Sequence, residues 1–352
     1  MTLTLNPVNG ITITGMATAW PEELLGSAAY KSNSDVHEAL LGDSWRDILS
    51  TKGWEPERAQ HTFGIEGRSW TRGTEVGSLE LGISAAEKAL RVAGIEATDV
   101  DCIIAATSTP NHITSTMAAR IANHLNTSSA AIDIRSGGAG GLDALATAAT
   151  YHAAGCKASL VVAAEVPSKY LGRHDLSNAV LFGDGAVAIV LKSDHKAGQA
   201  GFAGAVIGNT TWDGTPFTVP GSLPPADNHH PEAYLFQRPD HIYLEQMAEC
   251  WQETSIALRS AFPQECSNLG AVFPYSVTRD QVRQCAETFG LSGSSSLKLL
   301  AEHGCTGCAS PLIAMALHWE NRQASDASNI NETVAAIAVA GGISWAGLLW
   351  RF

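Results

Sequence analysis

Charge is scarce in this sequence of 352 residues, of which only 16% are Asp, Glu, Lys or Arg. A fraction that low speaks for extensive burial and leaves room for a large subunit interface. What charge there is leans one way: 22 basic residues stand against 35 acidic ones, for a net charge of -13. Phosphate backbones are repelled by that balance, so nucleic acid is not an expected partner. An even, regularly spaced set of cysteines is also missing. The seven present are scattered, which points to reduced thiols in a cytoplasmic protein. Long apolar runs are lacking too. Met1 to Trp20 has neither the basic start nor the continuous apolar stretch of a targeting segment. The most apolar stretch, Thr333 to Trp350, is broken by Gly341-Gly342 and Ser344 and ends at Arg351. It reads as two buried strands joined by a glycine turn, so no membrane association is expected.

Apolar material is plentiful, at 45% of the chain. The length suits two domains or one duplicated one. A strand-helix order occurs twice. In the first half Val100 to Ser108 is a strand, Thr116 to Leu125 a helix and Ala130 to Arg135 a strand. The alanine-rich Gly141 to Gly155 is helical, and Ser159 to Glu165 and Ala186 to Lys192 are strands. In the second half Leu269 to Pro274 is a strand, and Arg279 to Phe289 and Ser310 to Asn321 are helices. Val334 to Ala340 and Ala346 to Phe352 close it as strands. Continuous apolar strands alternating with helices imply sheets covered on both faces. The expected division is 1–195 and 196–352, with an irregular excursion over about 201–240 rich in Pro, Asn, His and Gly. His229 and His230 in that excursion read as solvated surface.

Four stretches, taken together, resemble the β-ketoacyl-ACP synthase III branch of the thiolase superfamily. Phe63-Gly-Ile-Glu-Gly-Arg68 is similar to the family's GI-x-x-R element, and Ala105 to His112 to the segment after the first buried strand. Leu181-Phe-Gly-Asp-Gly-Ala186 resembles the FGDGA signature, and Gly341-Gly-Ile-Ser-Trp345 with Trp350-Arg-Phe352 resembles the C-terminal ending. Their order and spacing cover nearly the whole chain. The resemblance implies a thiolase-like α/β fold, built of duplicated αβαβα layered halves with two mixed sheets. It also implies acyl carrier protein or acyl-CoA as a partner, and a homodimer or a heterodimer with a relative. The glycines of FGDGA permit close backbone approach, and Asp184 is placed to bridge backbone amides. A dinucleotide-binding reading of Gly183 to Ala188 fails because a strand, not a helix, follows.

In the family, a Cys at the start of a buried helix attacks an acyl thioester, with the helix amides holding the oxyanion. A His and an Asn from the second half support decarboxylation and condensation. By register with the family, Gly138 stands at the Cys position, Tyr275 at the His position and Cys305 at the Asn position. Glycine cannot form an acyl-enzyme, and a phenol near its reference pKa is a poor base at neutral pH. The cavity implied by the resemblance also takes in Ser136, Phe182 and His303 for substrate binding, and the backbone of Gly138 and Gly342 for an oxyanion. The Trp and Arg that hold the CoA adenine in many relatives have no counterpart here, where Arg58, Thr62 and Leu176 stand.

Cys305 admits two readings. It is a relocated nucleophile assisted by Tyr275 or His303, or a buried thiol that fills space, which free Cys does more often. Cys305-Thr-Gly-Cys308 forms a CxxC without the βαβ context of a redox motif or the second ligand pair of a zinc site. No metal and no cofactor are therefore expected. Ser136 lies two residues before the nucleophile position and is expected to face elsewhere, and His112 reads as a hydrogen-bonded structural residue. Three functions compete. The chain is a non-condensing subunit beside a catalytically complete partner, a stand-alone acyltransferase or hydrolase using Cys305 or water, or a binding protein without turnover. The first is preferred, because the site argues against the usual reaction while the fold elements persist.

Overall fold

The computed structural model describes residues 2–172, 176–194, 198–210, 241–275, 277–324 and 332–352. In chain order the strands are β1 (Leu3–Leu5), β2 (Val8–Asn9), β3 (Ile11–Ala19), β4 (Tyr30–Ser32), β5 (Gly67–Ser69), β6 (Cys102–Ala106) and β7 (Ala130–Ile134). They continue with β8 (Ala158–Glu165), β9 (Gly185–Ser193), β10 (Gly201–Asn209), β11 (Leu269–Pro274), β12 (Thr333–Ala340) and β13 (Ser344–Arg351). The helices are α1 (Pro21–Leu25), α2 (Asn33–Leu41), α3 (Trp45–Thr51), α4 (Ser78–Ala93), α5 (Met117–His124) and α6 (Gly140–Ala153). After them come α7 (Leu176–Ala179), α8 (His241–Ala261), α9 (Pro263–Cys266), α10 (Arg279–Thr288), α11 (Ser294–His303) and α12 (Ser310–Ala324).

Two mixed sheets organise the chain. One has the order β3-β9-β8-β6-β7 and the other β1-β10-β13-β12-β11, with β2 also against β10. Their strands are apolar on both faces, so successive residues point into different cores. Along β8, Val161 and Ala163 face one core while Leu160, Val162 and Ala164 face another. Along β12 the same alternation sends Val334, Ala336 and Ala338 inward and Ala335, Ile337 and Val339 outward. The inner core holds α6 and α12 between the sheets. The outer cores are closed by α4 and α5 on the first sheet and by α8 and α10 on the second. The result is five layers, αβαβα, a helix layer on each sheet face. Small residues make the layers fit. A Cβ on Gly15 of β3 would lie 2.3 Å from the carbonyl oxygen of Ala89 on α4, so that strand and helix meet only because position 15 is glycine.

The two sheets share a pattern. In each, two antiparallel pairings are followed by a parallel one: β3-β9-β8-β6 in the first and β10-β13-β12-β11 in the second. The expected glycine-turned strand pair at 333–350 is present as β12 and β13. One expectation is corrected. Gly201–Asn209, assigned to the irregular excursion, is strand β10, paired with β1 on one side and β13 on the other. Its glycines hide it: Gly204 takes φ +132°, at an irregularity in the pairing with β13, and a Cβ there would strike the Phe262 ring at 2.4 Å. His229 and His230, with the rest of that excursion, lie outside the described residues. β3, α4, α8 and α11 also go beyond the elements read from the sequence.

Candidate active site at the paired helix starts

The two central helices begin alike. A 3-10 turn at Gly137–Ala139 leads into α6, and one at Gly307–Ala309 leads into α12. Gly137 has φ 57° and Gly307 φ 56°, a left-handed value suited to glycine. These turns pack against each other at the centre of the molecule. The contact is close: a Cβ on Gly141 would lie 2.4 Å from the Cys308 carbonyl oxygen. Beside them sits the turn between β12 and β13, where a Cβ on Gly341 would come 3.0 Å from Gly137 Cα. Helix starts present free backbone N–H groups and the positive end of the helix dipole. Gly138 is buried there and contributes backbone alone. Gly342, at φ 79°, has no described atom within 4 Å of where its Cβ would be.

Cys305 approaches from the second half. Its N–H donates to the Leu181 carbonyl at 2.8 Å, and its carbonyl accepts from Gly183 N at 3.0 Å, so it bridges in parallel to Phe182. The thiol is 1% exposed and 3.9 Å from Ser310 Oγ, and it shares a hydrogen bond with the Tyr275 side chain. Burial pushes it up to about 11 despite those hydrogen bonds, so at neutral pH it is a thiol and not a thiolate. Tyr275 is held by its own N–H, which donates to the Ile337 carbonyl at 2.7 Å. Cys308 is also buried, and burial first, then the nearby Glu165 carboxylate, raises it well above the ordinary thiol value. Tyr275, Cys305 and Phe182 therefore share one core with Ala139 and Cys308 of the paired turns.

Other expected residues lie around this centre in different ways. Ser136 Oγ donates to the Asp143 carboxyl on α6. Burial raises Asp143 to about 6, and its other oxygen is buried without a hydrogen bond. The His303 ring is committed to the N-terminal elements. It stacks on Trp20 at 3.7 Å, and its Nδ1 lies 3.1 Å from Ser69 Oγ, which donates to Glu22 at 2.7 Å. Burial lowers it to about 4, leaving a neutral imidazole at pH 7. His112 is exposed, contrary to the structural role expected of it. Its neighbour Asn111 takes that role, accepting from Leu79 N and Ser78 Oγ and donating to Glu80. Arg58 lies over the Trp54 ring at 4.9 Å, Thr62 is exposed, and Leu176 is buried in a small core with Trp45 and Trp70. Among the described residues no group of three or more His, Cys, Asp or Glu is arranged to hold a metal.

Two carboxylates that frame the site were underrated by sequence reading. Asp184 of FGDGA is fully buried and accepts from Thr71 N, Thr71 Oγ1, Ser168 N and Ser168 Oγ, tying three segments together. Desolvation nonetheless raises it to about 6. Glu165, closing β8, accepts from Ser108 N at 2.9 Å and from Thr109 Oγ1, and its Oε1 reaches Cys308 N at 3.4 Å. The signal for Asp184 was present in FGDGA; for Glu165, the signal was a lone carboxylate ending an otherwise apolar strand, which needs partners to be buried. Arg68 of the GI-x-x-R element is buried as well, donating from Nη2 to Asn33 Oδ1 and the Val180 carbonyl. Loss of hydration lowers it to about 10.

Layered halves closing over two apposed helix starts define a thiolase-like protein. Residues 132–210 match the family described as 3-oxoacyl-[acyl-carrier-protein (ACP)] synthase III, and residues 265–352 match its C-terminal counterpart. A β-ketoacyl-[acyl-carrier-protein] synthase III 3 of Streptomyces coelicolor is 30% identical over 290 residues, covering 77% of this chain and 82% of the relative. A β-ketoacyl-[acyl-carrier-protein] synthase III of Rhodobacter capsulatus is 28% identical over 296 residues, 82% of this chain and 88% of its own. The chain belongs to the β-ketoacyl-ACP synthase III family, a family of acyl-thioester biosynthesis. Among solved structures, the priming β-ketosynthase of the R1128 polyketide pathway shares the fold with a TM-score of 0.77 at 22% identity, covering 99% of this chain and 98% of that one. The 3-oxoacyl-(acyl carrier protein) synthase III of Pseudomonas aeruginosa PAO1 does so with a TM-score of 0.75 at 23% identity, over 97% and 98%. No helix among the described residues is long and apolar enough to cross a membrane.

Proposed function

We propose that this chain is a non-condensing subunit of acyl-thioester biosynthesis, shaping or gating the acyl chain handled by a catalytically complete relative. The observation that carries the reading is the helix start at Gly138, kept in its backbone form but without a nucleophile. The residues at the family's other two positions do not replace it. Cys305 is a buried thiol raised to about 11, and the Tyr275 phenol is engaged with it. Acyl carrier protein or acyl-CoA is the expected source of the acyl group. A partner subunit is supported by β7, an edge strand whose Ala131, Ile132 and Ile134 are only partly buried and which offers unpaired backbone groups to a second chain.

Intact-protein mass spectrometry after incubation with acyl-CoA and acyl-carrier-protein thioesters tests this. No covalent adduct is expected, and affinity capture from the native host should recover a relative with an intact Cys-His-Asn set. A stoichiometric adduct that disappears in Cys305→Ala would overturn the reading and establish the alternative, a stand-alone acyltransferase with a relocated nucleophile. Turnover of thioesters by the isolated chain without any adduct would instead establish hydrolysis by activated water.

A further inference from the structure

Two side chains that the acyl-thioester reading does not use meet away from the paired turns. Cys102 opens β6 and is buried, while Cys156, between α6 and β8, is partly exposed. Their sulfurs lie 3.8 Å apart. A disulfide needs about 2.05 Å, so the two sulfurs are already in contact and have only to close the remaining gap. All seven cysteines are described, and Cys305 and Cys308, though closer in sequence, make no such contact with each other. The backbone around the pair is firmly held. Cys102 sits in register between Ala130 and Ser159. The Cys156 N–H donates to the Tyr151 carbonyl, and its carbonyl accepts from Ser193 Oγ. Asp101 lies alongside, accepting from Lys157 N and Ala158 N.

We propose that Cys102 and Cys156 form a thiol modification site, closed to a disulfide by a hydroperoxide, that staples the start of β6 to the α6–β8 connection. The partly exposed Cys156 reacts first: its sulfur attacks the peroxide O–O bond, giving a sulfenic acid and releasing alcohol or water. Cys102 then attacks the Cys156 sulfur, the S–O bond breaks, and water leaves with the thiol proton. Two electrons pass from the two sulfurs to the peroxide, and no other reductant or oxidant is needed. Burial and the neighbouring Asp101 carboxylate hold both thiols above the ordinary value, Cys102 at about 12. The step is therefore slow at neutral pH and accelerates as pH rises. The bond would enclose β6, α5, β7, the Gly137–Ala139 turn and α6 in one covalent loop, and thereby restrict the unfolded chain.

The test treats the full chain with hydrogen peroxide, followed by intact mass, non-reducing peptide mapping and thermal melting. The expected product is two hydrogen masses lighter, contains one Cys102–Cys156 cross-linked peptide pair, and reverts with dithiothreitol. Its melting midpoint should rise by roughly 5 °C. Cys156→Ser, at a partly exposed position, should fold normally and give neither the cross-link nor the shift, and Cys102→Ala should agree with it where it folds. Oxygen addition to Cys156 without a cross-link, a cross-link between any other pair, or a cross-linked chain that melts no higher would each overturn the proposal.

Discussion

The turn before α6 and the turn before α12 have one backbone and different chemistry. Gly137-Gly138-Ala139 answers Gly307-Cys308-Ala309, and beyond them Leu142, Ala144 and Ala146 answer Leu312, Ala314 and Ala316. What differs is the remainder. Where α6 has Gly140, Gly141 and Asp143, α12 has Ser310, Pro311 and Ile313. The shared residues build the fold, small and apolar so that two helices can sit between two sheets. The unshared ones decide how each turn is closed. At the first start backbone alone closes the turn, Ala139 N–H donating to the Ser136 carbonyl and Gly140 N–H to the Gly137 carbonyl; at the second, Cys308 and Ile313 fill the core and Ser310 closes the turn. Glycine at 138 and cysteine at 308 thus stand on the same helix-start architecture.

The largest expected effect breaks the contact between the two turns. In Gly141→Ala the added Cβ meets the Cys308 carbonyl at 2.4 Å, a backbone atom that cannot swing aside. A loss of about 3 kcal/mol or more is expected in denaturant unfolding. Its neighbour is the control. A Cβ on Gly140 meets only ordinary contacts, the nearest at 3.6 Å, and its backbone is helical with φ −53°. Gly140→Ala should be neutral or stabilise by about 0.5 kcal/mol. If the two variants unfold alike, the apposition of the turns is wrong.

Next in size is the carboxyl that α6 carries where α12 has Ile313. Asp143 is raised to about 6 from an ordinary value of 3.8. The folded protein therefore keeps a proton that the unfolded chain releases. That stabilisation is complete below the unfolded value and is lost as pH rises through about 6. Asp143→Asn cannot titrate, so between pH 4 and pH 7 it should lose about 2 kcal/mol less stability than the native chain. Urea unfolding at the two pH values measures the difference, and parallel losses would show that the carboxyl is hydrated and of ordinary strength.

These cases show what could be seen in the sequence. The strands were legible because β6, β8, β9 and β12 are unbroken apolar runs, and the hairpin at Gly341-Gly342 because glycines punctuate it. The repeated G-x-A-x-x-L-x-A-x-A pattern at 137–146 and 307–316 is legible too, but it is short and interrupted by unlike residues. β10 was lost to its own glycines. Of the site, a family resemblance pointed to Gly138 and Cys305, but the direction of a side chain cannot be read from a string. His303 stands two residues from Cys305, yet its ring is committed to Trp20 and Ser69 of distant segments. The partners of Glu165 come from two separate segments, Ser108-Thr109 and the turn at Cys308, and no local spacing announces them.

A smaller effect separates the turns by their hydrogen bonds. Ser310 Oγ accepts from Thr306 N at 2.9 Å and lies 3.0 Å from Thr306 Oγ1, a closure that Gly140 cannot offer at the matching position. Ser310→Ala leaves a buried N–H without an acceptor and should cost about 1–2 kcal/mol, while Ser310→Thr should recover part of it. Equal stability of the alanine variant would mean that another acceptor takes over.

The smallest expected effect bears most directly on function. Cys305→Ala removes one sulfur from a filled core, and the loss should be about 1 kcal/mol. It also frees Tyr275 from a hydrogen bond with a buried thiol, which adds little because the thiol is a weak partner. If Cys305 is packing, acyl-thioester binding and any effect on a condensing partner should survive the substitution within twofold. If it is a nucleophile, covalent acylation and turnover vanish while the stability changes by the same small amount. Stability alone cannot separate these outcomes, since both begin from the same buried atom. A ratio of functional loss to stability loss can, and its two values lie far apart because a reacting sulfur is indispensable whereas a packed one is only one contact among many.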